Sequence, residues 1–430
     1  MVAVQMRDQD RANRIWIDPE PSDGDHRRGA AVQRAGPIAH METGVETATA
    51  AEGIARTEDC RSIGHLVNTT GLSVGLSKLQ CQMALVYTSK IMRRPKVVIS
   101  SWVHSEVVEL LARSYAVEPN ETREALAVDE LLRRCRDADA LIAFMPERVD
   151  DAFLAQCPRL RIIACALKGC DNFDVDACTR RGVWLTIVPD LLTAPTAELT
   201  LGLMIALARN ITAGDRLVRT GGFRGWRPML YGQGLDGSTV GLFGAGAIGK
   251  ALARRLNGFR TTLLYADSAP LSPDQEDELR LHRAWRDELL RRSDFVVLCL
   301  PLRPETRHLV DRDFLSRMKR GAYLVNPARG SIVDEAAVAD ALESGALGGY
   351  AADAFAMEDW ALADRPPIIP DRLLAAAEKT VFTPHLGSAV DRVRRDIAMQ
   401  AATSVLECLG EKVPTGAVNR PALSRRPVTR

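Results

Sequence analysis

The stretch Thr239-Val-Gly-Leu-Phe-Gly244-Ala-Gly246-Ala-Ile-Gly249 decides how this chain is read. Residues 239–243 form an apolar run of strand length, and 248–256 carry apolar residues at helical spacing. Between them the glycines follow a G-x-G-x-x-G pattern. In a strand–turn–helix context they serve a tight turn, close backbone approach to a pyrophosphate, and packing of helix on strand. A dinucleotide site is therefore expected at Gly244, Ala245, Gly246, Ala247, Ile248 and Gly249. The next apolar run ends in Leu263-Leu-Tyr-Ala-Asp267, an acid about 20 residues past the glycines, where it can accept hydrogen bonds from both ribose hydroxyls. No Arg or Lys adjoins it in Ser268-Ala269-Pro270, so NAD is expected to bind better than NADP.

Working outward, apolar runs at 239–243, 261–266, 295–300, 322–325, 349–353 and 381–384 alternate with helical stretches, as parallel strands with right-handed crossovers do. Upstream runs at 96–100, 140–145, 160–167 and 183–188 predict a second, smaller unit of the same kind. Between the units lies Thr193-Ala-Pro-Thr-Ala-Glu198, read as a helix start with Thr193 as cap. The amphipathic stretch 389–409 is expected to return to the first unit. The fold class is thus α/β, with two doubly wound parallel-sheet domains. A flavodoxin-like substrate domain covers 92–191 plus 386–420, and a Rossmann NAD-binding domain covers 192–385. Residues 1–91 lack clear periodicity and are expected to be a disordered extension, with Met92 as the natural first residue.

Composition narrows the function. Lys+Arg 56 against Asp+Glu 55 leaves a net charge of +1, so no whole-molecule field favours nucleic acid or an anionic membrane. Nine scattered cysteines without zinc-like spacing argue against a disulfide or metal framework, and no apolar stretch reaches bilayer length. A cytoplasmic protein with no metal is expected.

Three polar residues stand just beyond consecutive predicted strands: Arg329, Glu358 and His385. Arg329 offers a permanent, planar cation for an oxyanion. His385 can exchange a proton near neutral pH, and Glu358 can orient its ring. Singly, each has an ordinary structural reading; their order behind a dinucleotide motif gives them weight as a catalytic set. Pro301 and Asp353, at other strand ends of the same unit, complete the candidate cofactor set.

These residues also carry a family pattern. Residues 239–249, Leu324-Val-Asn-Pro-Ala-Arg-Gly-Ser-Ile-Val-Asp-Glu335 and Thr383-Pro-His-Leu-Gly-Ser388 resemble the D-2-hydroxyacid dehydrogenases over nearly all of 93–420. That resemblance implies a catalytic Arg, Glu and His at Arg329, Glu358 and His385, and a split first domain closed by the C-terminal helix. It also implies a homodimer formed through the long helix at 196–210.

A narrower resemblance is to the phosphonate (phosphite) dehydrogenases, through Ala143-Phe-Met-Pro-Glu-Arg-Val-Asp150, Cys165-Ala-Leu-Lys-Gly169, Val183-Trp-Leu-Thr186 and Met357-Glu-Asp-Trp360. It implies NAD-dependent oxidation of phosphite, with Lys168, Gly169, Met145, Ser388, Trp226 and Tyr231 lining the substrate pocket. Where ordinary hydroxyacid relatives read Gly-x-Gly-x-Asp-Asn-Ile-Asp, this chain reads Leu167-Lys-Gly-Cys-Asp-Asn-Phe-Asp174. The added ammonium suits a dianion that must lose its water. Asp267 in place of a longer Glu, Cys170 in place of an aromatic, and the length of 367–379 depart from that pattern. A glyoxylate or hydroxypyruvate reductase is the second expectation, and an NAD-sensing co-repressor-like protein the third.

Overall fold

The computed structural model describes residues 93–421, so the expectations for the extension and the start site lie outside the described residues. The first sheet is built from β1 (Lys96–Ile99), α1 (Ser105–Ala112), β2 (Ala116–Pro119), α2 (Val128–Cys135), β3 (Ala140–Ala143), α3 (Asp151–Gln156), β4 (Ile162–Cys165), α4 (Val175–Arg180) and β5 (Trp184–Thr186). Its parallel order, β2-β1-β3-β4-β5, is the flavodoxin-like order. Two helices follow, α5 (Thr193–Ala208) and α6 (Ile211–Arg219).

The second sheet runs through β6 (Thr239–Phe243), α7 (Ala247–Leu256), β7 (Thr262–Ala266), α8 (Pro273–Leu279), β8 (Leu281–Arg283), α9 (Arg286–Arg292), β9 (Phe295–Leu298) and α10 (Arg312–Arg317). It continues with β10 (Ala322–Asn326), α11 (Glu335–Glu343), β11 (Leu347–Ala352), α12 (Asp371–Ala375) and β12 (Thr380–Phe382). Its order is β12-β11-β10-β9-β6-β7-β8, all parallel: the six-strand Rossmann order with one strand added at the β11 edge.

Central strands are apolar throughout because helices cover both faces; β3, β4 and β9 are buried at every residue. Each fully buried Leu, Ile or Phe there contributes roughly 1.5–3 kcal/mol. The edge strands β2 (Ala-Val-Glu-Pro) and β8 (Leu-His-Arg) are absent from the sequence reading for the complementary reason: half-solvated strands carry no continuous apolar run. α13 (Asp391–Leu409) returns to the first sheet, as expected, and buries Ile397, Ala401, Ala402 and Val405 with Val97, Ile99 and Ile162.

One local expectation is corrected. Thr193 lies inside α5, whose cap residue is Leu192 with no side-chain cap bond. The hydroxyls of Thr196 and Thr200 instead donate back to the carbonyls of Leu192 and Thr196, each at 2.7 Å, which hides them in a helix packed against the second sheet. Among the described residues no helix is long and apolar enough to cross a membrane.

Candidate active site

The glycine turn sits where the strand order reverses, between β6 and β9, the place at which open α/β sheets leave a crevice for ligands. Gly244 has φ +99°, and a Cβ there would also lie 2.5 Å from the carbonyl oxygen of Cys299. A Cβ on Gly249 would lie 2.3 Å from the carbonyl oxygen of Gly244, so α7 docks directly on the turn. Gly246 differs: a Cβ would meet nothing within 4 Å. Two glycines are thus demanded by packing, while the third leaves open space in front of the N-terminus of α7, whose first amides have no partner within the helix. Asp267 Oδ2 accepts the Ala245 amide at 2.8 Å, so the acid stands beside this cradle. The fit to a dinucleotide is good.

Arg329, Glu358 and His385 follow β10, β11 and β12, three adjacent strands, and the structure brings them together at one edge of the crevice. His385 Nδ1 lies 2.9 Å from Glu358 Oε2; a carboxylate can only accept, so the ring donates here and Nε2 is left for other work. Glu358 is itself fixed by the Phe355 amide, which donates to Oε1 at 2.8 Å. His385 is held at φ +55°, a left-handed conformation that needs external support. Asp353 supplies it, accepting from the Thr383 hydroxyl (2.6 Å) and from the amides of Leu386 (2.7 Å) and Gly387 (2.8 Å). Burial pushes the Asp353 carboxyl up, and the Thr383 hydroxyl offsets part of that.

The opposite wall comes from the first sheet. The loop after β4 places Gly169 against Arg329: a Cβ there would fall 2.2 Å from Nη2. Asp171 faces the same guanidinium at 3.4 and 3.5 Å, long contacts that leave the fork partly available. The Arg329 and Asp171 side chains are only 16% and 21% exposed. Lys168, half-buried, donates to Thr193 Oγ1 at 3.5 Å at the start of α5. The residues around Gly387 pack on Thr196, in the same first turns of that helix. Met145 is half-buried, and its carbonyl accepts Asn172 Nδ2 at 2.6 Å. Burial, with Asp171 nearby, pushes the Cys170 thiol up, which keeps it protonated and inert at neutral pH.

Comparison with known proteins agrees with this geometry. Residues 201–387 match the family model described as D-isomer specific 2-hydroxyacid dehydrogenase, NAD binding domain. A glyoxylate reductase of Thermococcus onnurineus is 36% identical over 338 residues, covering 77% of this chain and 98% of that protein. One from Aeropyrum pernix is 37% identical over 340 residues, covering 78% and 99%. This chain belongs to the D-2-hydroxyacid dehydrogenase family. A crystal structure of a Thermus thermophilus protein, 34% identical, superposes with a TM-score of 0.68 over 75% of this chain and all of that one. The chain is accordingly an NAD-dependent oxidoreductase of the 2-hydroxyacid dehydrogenase type.

Within this D-2-hydroxyacid dehydrogenase site some expected residues fall elsewhere. Trp226 and Tyr231 are 86% and 81% exposed, so in a single chain they face solvent rather than an enclosed pocket. Asp353 spends its carboxylate on the His385 loop, which makes it a brace of that loop in addition to its place among the cofactor candidates. Pro301 is exposed beside the crevice, and its carbonyl accepts the Thr306 hydroxyl at 2.7 Å. Ser388 is half-buried and accepts from Arg394 Nη1 at 3.2 Å.

Arg394 went unnoticed in the sequence. It lies in the first turns of α13 with its Cζ 5.6 Å from the centroid of the Phe144 ring, and no carboxylate pairs with it among the described residues. Burial pulls its guanidinium below the ordinary range, though it stays a cation. The only signal available was a basic residue soon after Ser388, in an amphipathic stretch whose sequence points it back to the first unit.

Proposed function

We propose that this D-2-hydroxyacid dehydrogenase oxidises phosphite to phosphate. The observation that carries the reading is Lys168. Lys168 precedes Gly169 and Asp171, both of which lie against Arg329, and Asp171 already offsets part of the Arg329 charge, so the ammonium is an added cation on the first-sheet wall. A compact dianion stripped of water needs that extra cation, whereas a monocarboxylate is met adequately by one guanidinium and backbone amides.

The glycine turn and Asp267 would hold NAD, which when bound supplies the hydride acceptor. Arg329 and Lys168 bind the anion's oxygens and meet the charge that builds on them. His385, its Nδ1 on Glu358, takes through Nε2 a proton from the water that attacks phosphorus, and the P–H bond would break as the P–O bond forms, its hydride leaving to the acceptor. Trp226 and Tyr231 stand in solvent in the single chain, and we propose a homodimer through the long helix at 196–210.

The second reading is glyoxylate or hydroxypyruvate reduction, in which the same imidazole delivers a proton to the carbonyl oxygen. The curated relatives named above favour it over phosphite. Assaying NAD reduction with phosphite alongside NADH oxidation with glyoxylate separates the two. No NADH from phosphite, with brisk turnover of glyoxylate, removes the first reading and leaves the second.

A further inference from the structure

The turn after Arg329 and the turn that carries Glu358 touch backbone to backbone. A Cβ on Gly330 would fall 1.8 Å from the carbonyl carbon of Phe355 and 1.9 Å from the amide nitrogen of Ala356. Around that contact two buried carboxylates are exchanged. Glu335, farther along the Arg329 segment, accepts on Oε1 from the Ala356 amide at 2.9 Å, in the turn Ala356–Glu358. Asp359, the residue after Glu358, accepts on Oδ2 from the Ser331 amide at 2.7 Å, in the turn Gly330–Ile332. Each segment lends an acid to the other's turn.

Such acids are costly to keep. Glu335 is 6% exposed and Asp359 1%, and one oxygen of Asp359 has no hydrogen-bond partner in the structure. An apolar pair of similar volume would hold the two turns together at lower cost. It would not fix the direction of a backbone amide, which a hydrogen-bonded carboxylate does.

We propose that Glu335 and Asp359 are positioning residues acting crosswise: Asp359 sets Arg329 and so the grip on the substrate anion, and Glu335 sets Glu358 and so the His385 ring. Ser331 lies just beyond Arg329, whose own carbonyl accepts Asn326 Nδ2 at 2.8 Å, so the arginine is pinned on both sides. Ala356 begins the short turn whose last residue is Glu358, so its amide fixes the base from which that carboxylate reaches the imidazole. The proposal rests on Arg329, Glu358 and His385 being the working groups, whichever small anion they act on.

The test uses the full chain with D359A, D359N, E335A and E335Q. Three quantities are read: KM for the anion, the ring nitrogen signals of His385 in 15N-histidine-labelled protein without substrate, and the NADH dissociation constant. D359A should raise KM about tenfold, the loss of one charge-assisted hydrogen bond, and leave the His385 signals alone. E335A should move the His385 signals and spare KM. D359N and E335Q, which keep an acceptor oxygen, should restore wild-type behaviour, and NADH binding should hold throughout.

Local damage predicts the reverse, because Asp359 neighbours Glu358 in sequence. Disturbed His385 signals in D359A, or wild-type behaviour in both alanine variants, would overturn the proposal. If D359A does not fold, the His385 signals of E335A against E335Q decide alone. A wild type that turns over neither phosphite nor glyoxylate would count against the proposed function, while the labelled-histidine experiment still judges the brace.

Discussion

His385 Nδ1 sits 2.9 Å from Glu358 Oε2 while the His385 backbone is held at φ +55° by three hydrogen bonds to Asp353. One carboxylate aims the ring and the other aims the chain that bears it. Replacing Glu358 by Gln keeps the shape but removes the charge that favours the donating ring orientation. We expect kcat to fall by about 10²-fold, within the range for a disturbed general base, with the NADH dissociation constant unchanged. Stopped-flow turnover together with NADH fluorescence titration checks this; equal losses in both would show that the pair maintains the cofactor site instead.

Gly169 offers a gentler way to disturb Arg329. A Cβ would meet Nη2 at 2.2 Å and Asp171 Oδ1 at 2.7 Å, both at the ends of flexible side chains. The guanidinium can move aside, so Gly169→Ala should cost little thermal stability. It should raise the substrate KM by about tenfold or more, because the anion meets a displaced fork. A variant with wild-type KM would mean that the guanidinium seen against Gly169 is not in its working position.

Much of this site was legible because the chemistry fixed the spacing. Gly244 and Gly249 had to be glycine for packing reasons that a sequence motif encodes, and Arg329, Glu358 and His385 stand just past strands whose apolar runs are unmistakable. What escaped depends on contacts between segments distant in sequence. β2 and β8 are edge strands with no apolar signature. Arg394 matters through Ser388 and Phe144, and the second of these lies just past β3, about 250 residues away in sequence. The exposure of Trp226 and Tyr231 depends on what, if anything, covers them, which neither their identity nor their spacing discloses.

Lys168 separates the two substrate readings. Lys168→Met keeps much of the aliphatic stem and deletes the ammonium. If the pocket serves a dianion, phosphite-dependent kcat/KM should drop by about 10²-fold, while glyoxylate reduction, anchored on Arg329, changes by less than about fivefold. Parallel falls for both substrates would assign Lys168 to the cleft's architecture through its contact with Thr193.

Asp267 should govern the choice of dinucleotide. Its Oδ2 accepts the Ala245 amide, which puts a carboxylate where a 2′-phosphate would have to sit. Asp267→Ser should reduce the preference for NAD over NADP by about tenfold or more, measured as the ratio of kcat/KM values. A ratio at or below one in the wild type would contradict the role outright.

The buried acids also predict how stability depends on pH. Burial pushes the Glu335 carboxyl up to about 6 from an ordinary 4.5, reinforced by Asp359, Asp334 and Glu358 and partly offset by the Ala356 amide. The folded state therefore holds the proton more tightly than the unfolded chain does. The resulting stabilisation is fully present below pH 4.5 and is lost as pH rises through about 6, after which the folded protein carries a desolvated charge. The loss is on the order of 2 kcal/mol. Burial raises Asp353, Asp359 and Glu147 as well, so the wild-type curve should slope the same way from several groups. Glu335→Gln removes one contributor while keeping an oxygen for the Ala356 amide. Its melting temperature relative to wild type should therefore climb between pH 5 and pH 8, by a few degrees. If that difference stays flat across the interval, Glu335 is not a protonation-linked burden on the fold, and its carboxylate must be better solvated in solution than its 6% exposure implies.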